Sequence, residues 1–131
     1  MLTRVSAEHD CVFAFLDAHW AEHWPLVAEI DTLTDAVAVI HDFDIGHERF
    51  GFDTYNGIPC GPGLLERTAR PPERYFTVNP AAALPMPCLQ TDRRAGVAVI
   101  TAGLDSRPLD DSPHLVSRRL AAAVRHQEAT S

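Results

Sequence analysis

Two short apolar runs limit what this chain can fold into. Residues 36–40 read AVAVI and residues 96–102 read GVAVITA, and both are bounded by residues typical of turns. Short runs rich in valine and isoleucine are typical of buried β-strands, because a helix usually shows a longer periodic stretch. The sequence therefore predicts that a sheet containing these two strands forms the centre of the fold.

Alternating apolar and polar residues predict the rest of the sheet. The alternation extends the first strand to 36–44 and indicates a second strand at 48–55. The segment RYFTV predicts a third strand at 74–78, and the run at 96–102 is the fourth. Asn56-Gly57 is a strong turn signal that should reverse the chain between elements.

The two ends of the chain carry patterns typical of helices. Ser6 can cap a helix, and apolar residues recur behind it at helical spacing, which predicts a helix over 6–24. Ser112 followed by Pro113 is typical of a helix start and predicts a helix over 112–126.

Together these elements predict an α+β fold. We expect a small four-stranded, mainly antiparallel sheet, with an N-terminal and a C-terminal helix packed on one face. The 131 residues should form a single domain, 1–131, with a frayed tail after about residue 126. The residues predicted to form its core are Phe13, Leu16, Trp20, Val37, Val39, Phe50, Phe52, Phe76, Val97, Val99, Leu115 and Leu120.

Composition excludes several classes of function. All 11 of the lysine and arginine residues are arginines, so the chain has neither a P-loop lysine nor a lysine that could form a Schiff base. The formal net charge is −7 and the arginines are mostly scattered, which disfavours direct binding of nucleic acid. The first ten residues contain no apolar stretch, so we expect no signal peptide, and no apolar run approaches the roughly 20 residues of a membrane helix. We therefore expect a cytoplasmic protein without a membrane segment.

The densest group of chemically capable side chains lies at 41–47. It contains two histidines and two aspartates, and we take His41, Asp44 and His47 as candidate catalytic residues for acid–base chemistry. On a regular strand, however, the side chain of His41 points away from that of Asp42. We therefore expect a hairpin with one solvated polar face, which holds no metal and no other cofactor.

Two other candidate groups are weaker. His19 and His23 are spaced so that both imidazoles can share one face of a helix, but their tryptophan neighbours indicate the edge of a packed face. The turn at 59–63 carries one thiol, Cys60, and lacks the second cysteine that a zinc site of that kind requires.

Two functions remain open. The first is a small acidic binding protein, of the inhibitor, immunity or accessory-subunit type, that engages a protein partner with a basic surface. Its binding residues would be the acidic run of Glu22, Glu29, Asp31 and Asp35. The alternative is a small enzyme that uses histidine and aspartate acid–base chemistry, with or without metal assistance, in a pocket between sheet and helix.

Overall fold

The computed structural model describes residues 11–17, 25–82 and 94–120, and β-strands predominate among them. The elements in chain order are β1 (Val12–Leu16), α1 (Leu26–Asp31), β2 (Ala36–His41), β3 (Phe50–Gly51), β4 (Thr54–Tyr55), β5 (Ile58–Pro59), α2 (Pro62–Leu65), β6 (Arg74–Val78), β7 (Arg94–Ala95), β8 (Val97–Ala102), a 3₁₀ helix (Arg107–Asp111) and β9 (Leu115–Arg119).

Five of the strands form the main sheet, in the order β1-β2-β8-β6-β9. Strands β1 and β2 are parallel, whereas the other neighbours in this sheet are antiparallel. Two small ladders complete the described strands: β3 pairs with β7 in parallel, and β4 pairs with β5 as a hairpin. No helix within 11–17, 25–82 and 94–120 combines the length and apolar character that crossing a membrane requires.

The predicted α+β fold with two packed terminal helices is wrong. The described residues form a five-stranded mixed sheet with small accessory ladders and two short α-helices. Within the helix predicted over 6–24, residues 12–16 are strand β1, while 6–10 and 18–24 lie outside the described residues. The segment VFAFL is apolar at every position, so it satisfies both the helical and the strand period, and its branched and aromatic side chains suit a strand.

The C-terminal helix predicted over 112–126 is also wrong where the structure describes it. Residues 115–119 form β9, which pairs antiparallel with β6, and residues 121–126 lie outside the described part. The Arg118 guanidinium donates a hydrogen bond to the hydroxyl of Thr77 across this pair, at 3.0 Å. Pairing with β6 satisfies backbone N–H and C=O groups of β9, which the predicted helix would have satisfied by hydrogen bonds within itself.

Three strand predictions are confirmed and one is wrong. The strands predicted at 36–44, 74–78 and 96–102 are β2, β6 and β8, with β2 ending at His41. The continuous strand predicted at 48–55 is instead two separate two-residue strands, β3 and β4. The Asn56-Gly57 turn is confirmed, since both residues have a positive φ, at 51° and 78°, between β4 and β5.

The main hydrophobic cluster lies on one face of the main sheet, whereas Phe76 and Val99 are buried on the opposite face. The cluster is formed by alternate residues of β1, β2 and β8, by α1 and α2, and by the loop after β2. Of the predicted core, Leu16, Phe50, Phe76, Val99 and Leu120 are buried; Val37, Val39, Val97 and Leu115 are partly buried; and Trp20 is outside the described residues. Phe13, 69% exposed, and Phe52, 39% exposed, were predicted wrongly as core.

The opposite face of the same sheet carries exposed aromatic side chains. Val12, Ala14 and Leu16 are buried in the core, so strand alternation places Phe13 and Phe15 on the other side. Phe15 is 58% exposed. We call the surface formed by Phe13, Phe15, Val37 and Val39 the phenylalanine face.

Gly96 joins the main sheet to the small β3–β7 ladder. Its N–H donates to the carbonyl of Gly51 at 2.8 Å, and its own carbonyl accepts the N–H of Phe43 at 2.9 Å. A Cβ at this position would overlap the carbonyl oxygen of Phe43. Only glycine therefore allows the chain after β2 to pass this close to β8.

Gly96→Ala should destabilise the protein by about 1–3 kcal/mol or more, because backbone atoms must move to admit the methyl group. Gly63→Ala is the matched control, since a Cβ at Gly63 meets nothing within 4 Å. Its free energy of unfolding should change by less than about 1 kcal/mol, towards stabilisation in the helix. Chemical denaturation measures both variants, and equal losses would contradict the close approach at Gly96.

Candidate metal centre

Parallel pairing of β1 and β2 brings Asp17 beside His41. Leu16 pairs with Ile40, and because both strands run in the same direction, the residues that follow them meet at one edge of the sheet. Asp17 Oδ1 lies 3.4 Å from His41 Nδ1. In open sheets, ligand sites lie outside the carboxyl ends of parallel strands, which is where this pair is found.

Asp42 completes the group by leaving the strand conformation. Its φ is 58°, in the left-handed region, so the alternation of side chains ends at His41. The expectation that His41 and Asp42 point apart is therefore wrong: Asp42 Oδ2 is 3.1 Å from His41 Nδ1. Aspartate tolerates this backbone conformation better than most residues with a Cβ.

The turn at Asp42 is held by backbone hydrogen bonds from two directions. The carbonyl of Asp42 accepts the N–H of Asp53 at 3.0 Å, and the next N–H, of Phe43, donates to Gly96. The carbonyl of Asp53 in turn accepts the N–H of Cys60 at 2.8 Å. The position of the Asp42 carboxylate thus depends on the β4–β5 hairpin as well as on β2.

Asp17, His41 and Asp42 converge closely enough to share one cation. One ligand atom from each lies within 4.8 Å of the others. His41 Nδ1 is buried and makes no hydrogen bond, although it faces two carboxylate oxygens. A mixed set of one imidazole nitrogen and two carboxylates suits divalent transition metals, and three protein ligands leave a coordination position open.

Negative charge is concentrated around this group. Burial, and to a smaller extent four neighbouring carboxylates, together raise the pKa of the Cys60 thiol from 9.0 to about 12; the carboxylates are those of Asp53, Asp42, Asp17 and Asp44. These four carboxylates therefore all lie in the neighbourhood of Cys60. Their combined field attracts cations, and it also keeps Cys60 in its unreactive thiol form.

Of the predicted catalytic residues, only His41 belongs to this convergent group. Asp44 Oδ1 accepts the N–H of Gly46 at 2.9 Å, and His47 Nδ1 accepts the N–H of Arg49 at 3.1 Å. Both side chains therefore stabilise the loop after β2. Sequence reasoning missed Asp17 and Asp42 as partners of His41, and the segment VFAFL before Asp17, apolar at every position, carries no alternation that would have indicated a strand there.

The predicted binding residues are distributed differently. Asp31 and Asp35 are exposed and line a cavity near the start of β2, the end opposite to His41. Glu29 is partly buried, and this burial raises the pKa of its carboxyl group. Glu22, like His19 and His23, lies outside the described residues.

Comparison with protein-family models, with curated protein sequences and with solved structures found no match for this chain. A function is therefore inferred from the geometry of the site itself.

Cys60 should resist alkylation in the folded protein. Iodoacetamide at about pH 8 should modify the exposed Cys11 and leave Cys60 unmodified, because the buried thiol does not ionise there. Peptide mass mapping resolves the individual cysteines, and the same reaction in denaturant is the control that should label Cys60. Equal labelling of Cys11 and Cys60 in the native protein would contradict the raised pKa.

The same shift predicts how stability changes at alkaline pH. Because the pKa of Cys60 is higher in the folded chain, its contribution to stability is complete below pH 9.0 and is lost as the pH rises towards about 12. The difference in unfolding free energy between the wild type and Cys60→Ala should shrink over this interval. A difference that grows with pH would contradict the direction of the shift.

Proposed function

We propose that this chain is a small metal-assisted hydrolytic enzyme, with Asp17, His41 and Asp42 as the ligands of a divalent cation. The observation that supports this proposal is the convergence of their three ligand atoms within 4.8 Å at the carboxyl ends of two parallel strands. It develops the enzyme alternative from the sequence, with Asp17 and Asp42 in place of Asp44 and His47 as the partners of His41.

Each side chain has a separate role at the proposed cation site. Asp17 and Asp42 provide the two carboxylates, and His41 provides a neutral imidazole nitrogen through Nδ1. A divalent cation held by these residues would supply a water of lowered pKa and would polarise the bond to be hydrolysed. The ring of Phe15 lies 5.8 Å from that of His41, and this contact restricts the orientation of the imidazole.

The phenylalanine face indicates where a substrate would lie. Phe15 belongs to that face and also contacts His41, so an apolar surface borders the cation site directly. A substrate with an apolar group can rest on Phe13 and Phe15 while its carbonyl or phosphoryl group reaches the cation. The surrounding carboxylates disfavour strongly anionic substrates.

Titration of untagged protein with Zn²⁺ and with Mn²⁺, measured by isothermal titration calorimetry, tests the cation site. We expect one ion per chain, and at least about tenfold weaker binding in Asp42→Asn and Asp17→Asn, which lose a charged ligand. Asp44→Asn is the matched control, since an asparagine can still accept the hydrogen bond from Gly46. Absence of saturable binding, or equal loss in Asp44→Asn, would contradict the assignment.

The uncharged chromogenic ester p-nitrophenyl acetate tests the hydrolytic step. Hydrolysis should require the added cation, stop with a chelator, and fall in Asp42→Asn while persisting in Asp44→Asn. A rate that is independent of the cation and of both aspartates would contradict the hydrolytic assignment and leave cation binding to be judged by calorimetry.

A second candidate function, binding of a basic protein partner, is favoured by the exposure of Phe13 and Phe15. Strand β1 is an edge strand of the main sheet among the described strands, so a partner segment can add to it in extended form. Apolar side chains of that segment would cover the phenylalanine face, and its basic residues would complement the net charge of −7.

Affinity capture with the wild type and with the double variant Phe13→Ser/Phe15→Ser tests this second function. A partner with a basic surface should be recovered by the wild type, be lost in the double variant, and weaken as salt screens the charges. Phe52→Ser is the control, because Phe52 is also exposed but lies outside the phenylalanine face. Capture that survives in the double variant would contradict binding at β1.

A further inference from the structure

A cavity lies at the end of β2 opposite to the cation site. Its volume is about 330 Å³, which is at the small end of the range for ligand sites, about 300–1,000 Å³. Its apolar lining includes Ile30, Leu33 and Ile100, all of them buried core residues. Thr34 and Thr101 line the same space.

The cavity is also lined by charges of both signs. The acidic residues Asp31 and Asp35 and the basic residue Arg70 are among the residues that line it. Among the ion pairs between described residues, none joins Arg70 to either aspartate, although all three line one cavity. Opposite charges held apart around an apolar floor are suited to a ligand that carries both complementary charges.

Local structure fixes the two carboxylates. Asp31 Oδ1 accepts the N–H of Ala69 at 2.8 Å, which ties the end of α1 to the segment that carries Arg70. Asp35 has a φ of 49°, and a Cβ added to Gly103 would lie 2.8 Å from its Oδ1. The absence of a side chain at Gly103 therefore leaves room for the Asp35 carboxylate at the rim of the cavity.

We propose that this cavity binds a free α-amino acid with an apolar side chain. Asp31 and Asp35 receive the ammonium group, and Arg70 binds the carboxylate, a geometry that a guanidinium matches well. The side chain rests on Ile30, Leu33 and Ile100. The whole of β2 separates this site from His41, so it is distinct from the proposed cation site and does not depend on it.

Calorimetric titration with L-leucine, L-isoleucine and L-phenylalanine tests the ligand class. At least one of them should bind saturably below about 10 mM. N-acetyl-L-leucine, which lacks the ammonium group, and L-leucinamide, which lacks the carboxylate, should bind at least about tenfold more weakly than L-leucine or the best ligand found. Glycine, which has no apolar side chain, should be weakened similarly.

Matched variants test the assigned residues. Arg70→Ala and Asp35→Asn should each weaken binding at least about tenfold, and asparagine tolerates the left-handed backbone at this position. Arg67→Ala is the control, because Arg67 is also exposed and belongs to the same segment but does not line the cavity. Circular dichroism confirms that each variant is folded.

Two results would overturn the proposal. One is the absence of saturable binding by all three apolar amino acids. The other is binding that is unchanged in Arg70→Ala and Asp35→Asn, or equal for the blocked derivatives of leucine. Loss of cation binding in Asp42→Asn has no bearing on either outcome, so failure of one site is distinguishable from failure of the other.

Discussion

The parallel pairing of β1 with β2 is the constraint on which both candidate sites depend. Its register places Leu16 opposite Ile40, and the next residues along each strand, Asp17 and His41, are neighbours as a result. A parallel pair needs a crossover connection, and α1 lies within that connection. The crossover returns the chain to the start of β2, where its last residues line the second cavity.

Strand β2 is flanked at both ends by an aspartate with a positive φ. Asp35 precedes it and Asp42 follows it, with φ values of 49° and 58°. A left-handed residue with a Cβ costs roughly 1–2 kcal/mol, and at Asp42 the surrounding backbone hydrogen bonds offset this cost. This backbone conformation takes both side chains out of the alternation of β2. Asp35 then lies at the second cavity and Asp42 lies at the cation site.

Backbone hydrogen bonds and core packing support the loop after β2, which Asp44 and His47 also stabilise. Asp44 and its neighbours are connected to Cys60 through backbone hydrogen bonds, and Phe43 packs its ring 5.7 Å from that of Tyr75 in the core. This arrangement keeps the loop against the sheet. Two of the aspartates near the buried thiol, Asp44 and Asp53, are thus joined directly to Cys60 by backbone hydrogen bonds.

Sequence patterns predicted the central strands and the tight turn. They failed where a segment fits the helical period and the strand period equally well. AVAVI and RYFTV were recognisable because their apolar character, short length and turn boundaries agree. VFAFL is apolar throughout, so its burial alternation becomes visible only when the partner strand is known. The cation site could not be assembled from sequence, because Asp17 reaches it through strand pairing and Asp42 reaches it through a backbone angle that composition does not show.

The location of a bound cation tests the central claim most directly. A crystal of the untagged protein loaded with Mn²⁺ should show one anomalous-difference peak in contact with the carboxylates of Asp17 and Asp42 and with Nδ1 of His41. Loss of this peak in crystals of Asp42→Asn would assign it to the site. A peak at other residues, or no peak in protein that calorimetry shows to be loaded, would contradict the account.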